Sequence, residues 1–199
     1  KSFPSILLTS VISIIFFWVY RPYNMLGLVG IILAFWIISN ILLTLVLKLI
    51  LKNKKFIQDN IPKYSNGMII AHLGIALLIL GITGSSIWQK EKIIRMKVND
   101  KTEIHNYNIV FKEINKIAGP NYLALQGNFW VYNKKKNIIA KLKPENRFYP
   151  VANNSTTEAS IHTNLLRDLY IVLGEGDIDK GWVVRIYYNP LVIWIWIGA

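Results

Sequence analysis

The sequence predicts a membrane protein: three transmembrane α-helices, the start of a fourth, and an extracytoplasmic all-β domain (sandwich or barrel-like) inserted before the last helix. Three observations predict it. Runs nearly free of Lys and Arg occupy residues 3–20, 25–51 and 68–88, each close to the roughly 20 residues a helix needs to cross a bilayer. Between residues 89 and 188 the apolar spacing changes from helical to alternating, the pattern of half-buried strands. The chain is 53% hydrophobic yet carries 23 Lys and Arg. Those two facts fit together when charge is segregated from the apolar runs, as in a membrane protein with a soluble insertion.

Phe3 to Tyr20 is just long enough to span, and no polar region leads from it to a small-residue cleavage site, so it does not read as a cleavable signal peptide. Arg21-Pro-Tyr-Asn24 is a tight connection, with Pro22 favouring a turn and Arg21 able to snorkel to the interface. Met25 to Leu51 is long enough to span with tilt, and Lys48 near its end reaches the headgroups. Lys52 to Asn66 is polar and holds Lys52, Lys54, Lys55 and Lys63. Short loops rich in Lys and Arg stay on the cytoplasmic or matrix side. The Arg21 turn therefore faces out, the Lys-rich loop faces in, and Met68 to Trp88 carries the chain out again. Residues 1–88 are thus the helical region, 89–188 the outer β-rich domain, and 189–199 the beginning of a return helix. The sequence starts at Lys1 without Met and stops soon after an apolar run begins at Leu191, so it reads as a fragment, either a natural split subunit or a truncated one.

Within the outer segment, residues 93–98, 107–112, 122–125, 128–132, 138–142, 169–173 and 182–188 read as strands. Gly119-Pro-Asn121, Tyr132 to Asn137 and Gly174-Glu-Gly-Asp177 read as turns, and Thr156 to Leu166 as a short helix. About 100 residues suffice for one independent core.

The formal charge of +12 does not point to nucleic acid. Such sites gather basic side chains on one folded face, whereas Lys1, Arg21, Lys48, Lys52, Lys54, Lys55 and Lys63 lie in or beside membrane runs. With no cysteine there is no thiol nucleophile, Cys-ligated metal or thioether haem attachment to this chain. The outer segment offers no paired carboxylates, phosphate loop or nucleophile–base set, so no catalytic residue is assigned. His105 and His162 read as solvent-facing or strand-edge residues, and Lys134-Lys-Lys136 as a hairpin tip more simply than as an anionic binding patch. Trp182, Trp194 and Trp196 fit aromatic anchoring at the outer membrane surface.

His72 stands apart. It lies in the apolar stretch Met68 to Trp88, where an imidazole costs free energy unless something binds it. At about 100° per residue, His72, Ala76, Ile79 and Thr83 share one face, while Gly74, Gly81, Gly84 and Ser85 lie near the opposite side and admit a close neighbour. Spacing alone leaves three roles open: a buried imidazole donating to a carbonyl or hydroxyl of the next helix, an axial ligand of haem iron, or a proton relay. A second imidazole ligand is not available from His105 or His162, which lie in the outer segment.

Five motifs occur in order: Gly67-Met-Ile-Ile-Ala-His-Leu-Gly-Ile-Ala76, Ala118-Gly-Pro-Asn-Tyr122, Pro144-Glu-Asn-Arg-Phe-Tyr-Pro150, Leu166-Arg-Asp-Leu-Tyr-Ile-Val-Leu-Gly-Glu175, and Arg185-Ile-Tyr-Tyr-Asn-Pro190 followed by Trp194-Ile-Trp196. Together they closely resemble the C-terminal part of the CcmF-type haem lyase subunits of cytochrome c biogenesis. The resemblance covers nearly the whole chain. It implies a multi-pass protein of the bacterial or mitochondrial inner membrane that receives haem from a membrane-anchored, CcmE-like haem chaperone and directs its attachment to apocytochrome c. It also implies a resident haem b between two transmembrane histidines, with His72 carried over as one axial ligand of the iron. The family's tryptophan-rich haem-handling segment, its outward-facing histidines and its other transmembrane ligand have no counterpart here. The expected partners are therefore other haem lyase subunits or the N-terminal half of the same protein, and membrane lipid, and the fragment alone is expected to be inactive. The rival reading is a non-catalytic, membrane-anchored assembly scaffold whose outer β domain binds client proteins.

Overall fold

The computed structural model describes residues 7, 9–11, 13–14, 25–50 and 66–199, apart from the side chains of residues 47–49. The chain divides into two compact units, residues 1–88 with 191–199, and residues 89–190. The Arg21 turn and the Lys-rich loop lie outside the described residues; the described residues of the first apolar run are helical.

In the helical unit, α1 spans Met25–Ile50 and α2 spans Asn66–Ile87. At 1.5 Å per residue they are about 39 Å and 33 Å long, and both are long and apolar enough to cross a bilayer. Small residues let them approach. Gly27 lies against Ile87 and Gly30 against Thr83, while Ala34 and Ala76 are fully buried. The start of α1 thus meets the end of α2, and the pair is antiparallel. On its other side α2 receives α3 (Ile193–Gly198). A Cβ on Gly74 would come within 2.8 Å of the Gly198 carbonyl oxygen, and one on Gly81 within 2.7 Å of the Ile195 backbone nitrogen. The glycine face read from the sequence is therefore a helix contact, with α3 as its partner.

The β unit holds ten strands: β1 (Lys90–Met96), β2 (Lys101–Ile104), β3 (Tyr107–Ala118), β4 (Leu123–Asn133), β5 (Ile138–Leu142), β6 (Glu145–Tyr149), β7 (Asn154–Glu158), β8 (Ser160–Thr163), β9 (Arg167–Asp177) and β10 (Gly181–Pro190). One sheet has the order β1-β10-β9-β8; the other has β2-β3-β4-β6-β7, with β5 beside β6 on the same edge of β4. Every pairing is antiparallel. Inward-facing residues of both sheets, among them Met96, Ile109, Phe111, Phe129, Val131, Leu169, Ile171, Leu173, Val184 and Ile186, meet in one core. The unit is a β-sandwich, the architecture expected of two half-apolar sheets that cover each other.

Three readings change. Thr156 to Leu166 is not a helix but β7, β8 and the turn that follows: its Thr-rich backbone pairs with β6 and β9, and β-branched residues favour strands. Gly174-Glu-Gly-Asp177 is not a turn but the end of β9. Gly176 runs so close to the Trp182 backbone that a side chain there would collide with it. Trp182 is no membrane anchor: it is 4% exposed and meets Phe111 edge-on at 5.9 Å, because it sits on the inward face of β10. Trp196, by contrast, is exposed.

Candidate functional site

The candidate site lies in the helical unit where α1 and α2 part. Trp36, Ile37, Asn40 and Ile41 of α1 and Met68, Ile69 and His72 of α2 line a cavity of about 260 Å³. Its walls are apolar except for one amide and one imidazole. His72 lies six residues into α2, about 9 Å along the axis. Unlike Ala76 and Thr83 on the same helix face, it is exposed and is not clasped by α1.

Its ring is nevertheless oriented. His72 Nδ1 lies 2.7 Å from the carbonyl oxygen of Met68, one turn earlier in α2. A carbonyl only accepts, so Nδ1–H donates, and in the neutral ring Nε2 keeps its lone pair. Of the three roles that spacing left open, the bond to the next helix is not the one made: this hydrogen bond lies within α2. Metal-bound histidines commonly use this device: one ring N–H is tied to a carbonyl, which fixes the tautomer and leaves the other nitrogen as donor. Across the cavity Asn40 Nδ2 donates to the Trp36 carbonyl at 2.8 Å, leaving its own carbonyl oxygen as a second polar group. Sequence reasoning missed the α1 half of this site. The available signal was polar Ser39, Asn40 and Thr44 within an apolar run, since polar residues at membrane depth mark function or packing.

The β unit brings the other motifs together in pairs. Arg147 of β6 sits 4.5 Å over the Tyr122 ring, and Tyr122 meets Tyr149 at 5.6 Å. Arg147 Nε donates to Glu145 Oε2 at 2.8 Å, and Gln126 donates to the other Glu145 oxygen at 2.7 Å. The Arg147 hydrogen bond holds the Glu145 carboxyl below its ordinary range, and that same bond raises the Arg147 guanidinium.

Arg167 is 2% exposed. Its Nε donates to the Tyr107 hydroxyl at 2.9 Å, and its Nη1 donates to the His162 carbonyl and to His162 Nδ1, both at 2.8 Å. Arg167 makes no ion pair with its chain neighbour Asp168. Adjacent residues point to opposite faces of a strand, and Asp168 Oδ1 is enclosed without a hydrogen-bond partner. His162 is therefore not an idle edge residue. Burial, then the adjacent guanidinium, lowers its pKa. His105, stacked on Tyr188 at 4.5 Å, is lowered by burial and then by Lys90 and Lys134. Among the described residues no group of three or more His, Asp or Glu side chains is placed to hold a metal ion.

An apolar helical unit with an oriented imidazole at an open cavity, joined in sequence to an antiparallel sandwich, defines a membrane-protein class with a candidate cofactor ligand. Residues 87–190 match the family model described as "CcmF C-terminal beta-sandwich", and the chain belongs to that family. It is 41% identical over 133 residues to the cytochrome c-type biogenesis protein CcmF of Haemophilus influenzae, covering 67% of this chain and 20% of that protein. It is 39% identical over 133 residues to CcmF of Escherichia coli, with the same coverage. The match to the cytochrome c-type biogenesis protein CycK of Rhizobium meliloti is 31% over 141 residues, covering 71% and 21%. The chain thus spans about a fifth of the length of the curated relatives it matches. A solved structure titled "Cytochrome c Heme Lyase CcmF" superposes with a TM-score of 0.67 over 99% of this chain and 31% of that one, at 15% identity, a likeness of fold.

Proposed function

We propose that this chain is a membrane subunit of the haem lyase that matures c-type cytochromes, and that His72 is an axial ligand of a b-type haem held against α1 and α2. The observation that carries the reading is the orientation of His72: Nδ1–H is tied to the Met68 carbonyl, and Nε2 is left to donate beside the cavity. The donor set suits haem iron, which imidazole commonly ligates. The cavity, about 260 Å³, lies just under the roughly 300–1,000 Å³ of small-molecule sites. Its apolar lining and single imidazole would hold part of an apolar ring system. On this chain His72 is the residue of the helical unit that would hold the iron, and any further ligand would be supplied by another part of the lyase.

A haem held there would supply one-electron transfer. The chain's own residues bind and tune. Trp36, Ile37, Ile41 and Ile69 exclude water from the ring face, Met68 fixes the imidazole, and Asn40 offers a polar contact. The relatives' names support the place of this work in cytochrome c biogenesis. In that setting the helices cross the bacterial or mitochondrial inner membrane, with the β unit on the periplasmic or intermembrane-space side. Haem arrives from a chaperone, apocytochrome c receives it, and the N-terminal half of the lyase completes the site.

The test is to coexpress the chain with the N-terminal part of the lyase, purify the assembly and record a reduced-minus-oxidised spectrum. A b-type band lost in His72→Ala and kept in His105→Ala is the expected result. Equal haem content in the two variants would remove the ligand assignment.

A further inference from the structure

The outer face of the β2-β3-β4-β5 sheet carries a basic row with no part in haem ligation. Lys101 pairs with Val110, Val110 with Trp130, and Trp130 with Lys141. These four residues therefore form a line across four strands. At about 4.8 Å per strand the two terminal lysines stand roughly 14 Å apart. Lys112 joins them by a specific device. The β3–β4 register slips between Phe111 and Glu113, so Lys112 is a bulge residue, and bulges re-aim side chains. Its ammonium lies 5.1 Å from the Trp130 ring centre, and that of Lys141 lies 4.5 Å from it. Beside the row is a cleft of about 430 Å³ lined by Lys101, Asn108, Lys112, Tyr132, Asn133 and Lys136.

Among the described residues none of Lys101, Lys112, Lys136 and Lys141 is in an ion pair; the salt bridges there belong to Arg147. The carboxylate nearest in register, Glu113, is already engaged by Asn115 and Asn128. Glu103 is the other acid on this face, leaving a net positive surface.

We infer that this face docks an acidic, extended segment of a partner protein, its carboxylates meeting Lys101, Lys112 and Lys141 and its backbone lying over the Tyr132 cleft. Side chains on one side of an extended chain recur every ~6.7 Å, so acids at positions i and i+4 span the roughly 14 Å between Lys101 and Lys141. Single-stranded nucleic acid fits less well. Bases bind such faces by stacking on open aromatic rings, and here ammonium groups lie over the Trp130 ring. This surface is independent of His72.

The test uses the full chain in phosphatidylcholine nanodiscs and a fluorescein-labelled decapeptide of alternating Glu and Ser, read by fluorescence anisotropy. The triple variant K101Q/K112Q/K141Q should bind about tenfold more weakly, the sum of three modest ion pairs. The matching triple Arg variant should stay close to wild type, and the control K97Q/K116Q/K180Q should bind as wild type does. Binding should weaken as salt rises. Equal affinity in the first triple and the control would overturn the inference. So would tighter binding, with the same lysine dependence, of an oligothymidylate or of short-chain phosphatidylglycerol used as competitor.

Discussion

The helical and β units place their large apolar side chains in opposite positions. In the helical unit Leu26, Ile70 and Ile75 face outward, while the interior contacts are made by Gly27, Gly30, Ala34, Gly74, Ala76 and Gly81. In the β unit Phe111, Phe129, Leu173 and Trp182 are inside, and lysines and glutamates cover much of the outside. The difference matches what lipid would ask of the helices, which are long and apolar enough to cross a bilayer, and what water asks of the sandwich. In water, burying large apolar surface is the main favourable term, worth roughly 25 cal/mol per Å². In lipid that term vanishes between helices, and close backbone approach through small residues takes its place. The imidazole of His72 belongs to the lipid-built unit, and those of His105 and His162 to the water-built one. In an apolar span an imidazole needs its polar atoms bonded, as His72 Nδ1 is to the Met68 carbonyl, whereas His105 and His162 rest partly buried against Tyr188 and Arg167.

The sharpest way to break this comparison is one substitution made in both units. Ile75→Lys places a charge near the middle of α2, at a position that is 49% exposed. If that surface faces lipid, insertion should lose about 3–4 kcal/mol. Ile93→Lys, at a position that is 54% exposed on β1, should change stability by no more than about 0.5 kcal/mol. Membrane-insertion yield in a glycosylation-tag assay measures the first, and urea unfolding measures the second. Equal, small effects would mean that α2 is not a lipid-facing span.

A smaller effect tests the packing rule itself. Gly81→Val forces a side chain against the backbone of Ile195, where nothing flexible can yield. Overpacking of this kind costs about 1–3 kcal/mol. It should lower the thermal midpoint of the assembled protein. Gly67→Val, where no atom lies within 4 Å of the added carbon, serves as the matched control, since it shares the loss of glycine at a helix position. A control that fell as far as Gly81→Val would assign the effect to backbone propensity instead of the α2–α3 contact.

The same contrast explains what could be read from the sequence. Apolar runs at 25–51 and 68–88 stand out because lipid demands them, and α1 and α2 follow them to within two residues at each end. Strands with one face in the sandwich core were visible by alternation, β5 at its observed limits. Where tertiary pairing outweighs pattern, legibility fails. All five residues of β7 are exposed, so no apolar alternation marks it. The polar half of β3, from Glu113 to Lys116, packs only Ile114 against the core and is otherwise held by pairing with β4. The buried Arg167 was hidden for another reason: its partners Tyr107 and His162 are 60 and 5 residues away, and no local spacing announces them. At the candidate site His72 was legible as the lone imidazole of an apolar run. The Met68 carbonyl that fixes its tautomer and the Trp36–Asn40 wall from α1 required the packing.

The smallest expected effect is confined to the β unit and concerns its two histidines. His105 and His162 both have pKa values below their ordinary 6.5, mainly through burial. The unfolded chain therefore binds more protons than the folded one as pH drops through 6.5, and stability follows the proton difference. The contribution is complete above 6.5 and declines as pH falls from there toward the folded values. Glu145, whose folded pKa lies below its ordinary 4.5, acts only in more acid solution, so the two windows separate. The urea midpoint, read by near-ultraviolet circular dichroism of the buried Trp182, should fall between about pH 7.5 and about pH 5.5. In the double variant His105→Asn, His162→Asn the midpoint should stay level. Asparagine suits both sites: it tolerates the left-handed backbone at residue 105, where φ is 52°, and its side-chain oxygen can accept from Arg167 at residue 162. A midpoint that dropped equally with and without the two imidazoles would place the acid sensitivity elsewhere, and would mean that Arg167 is held by hydrogen bonds indifferent to the charge of His162.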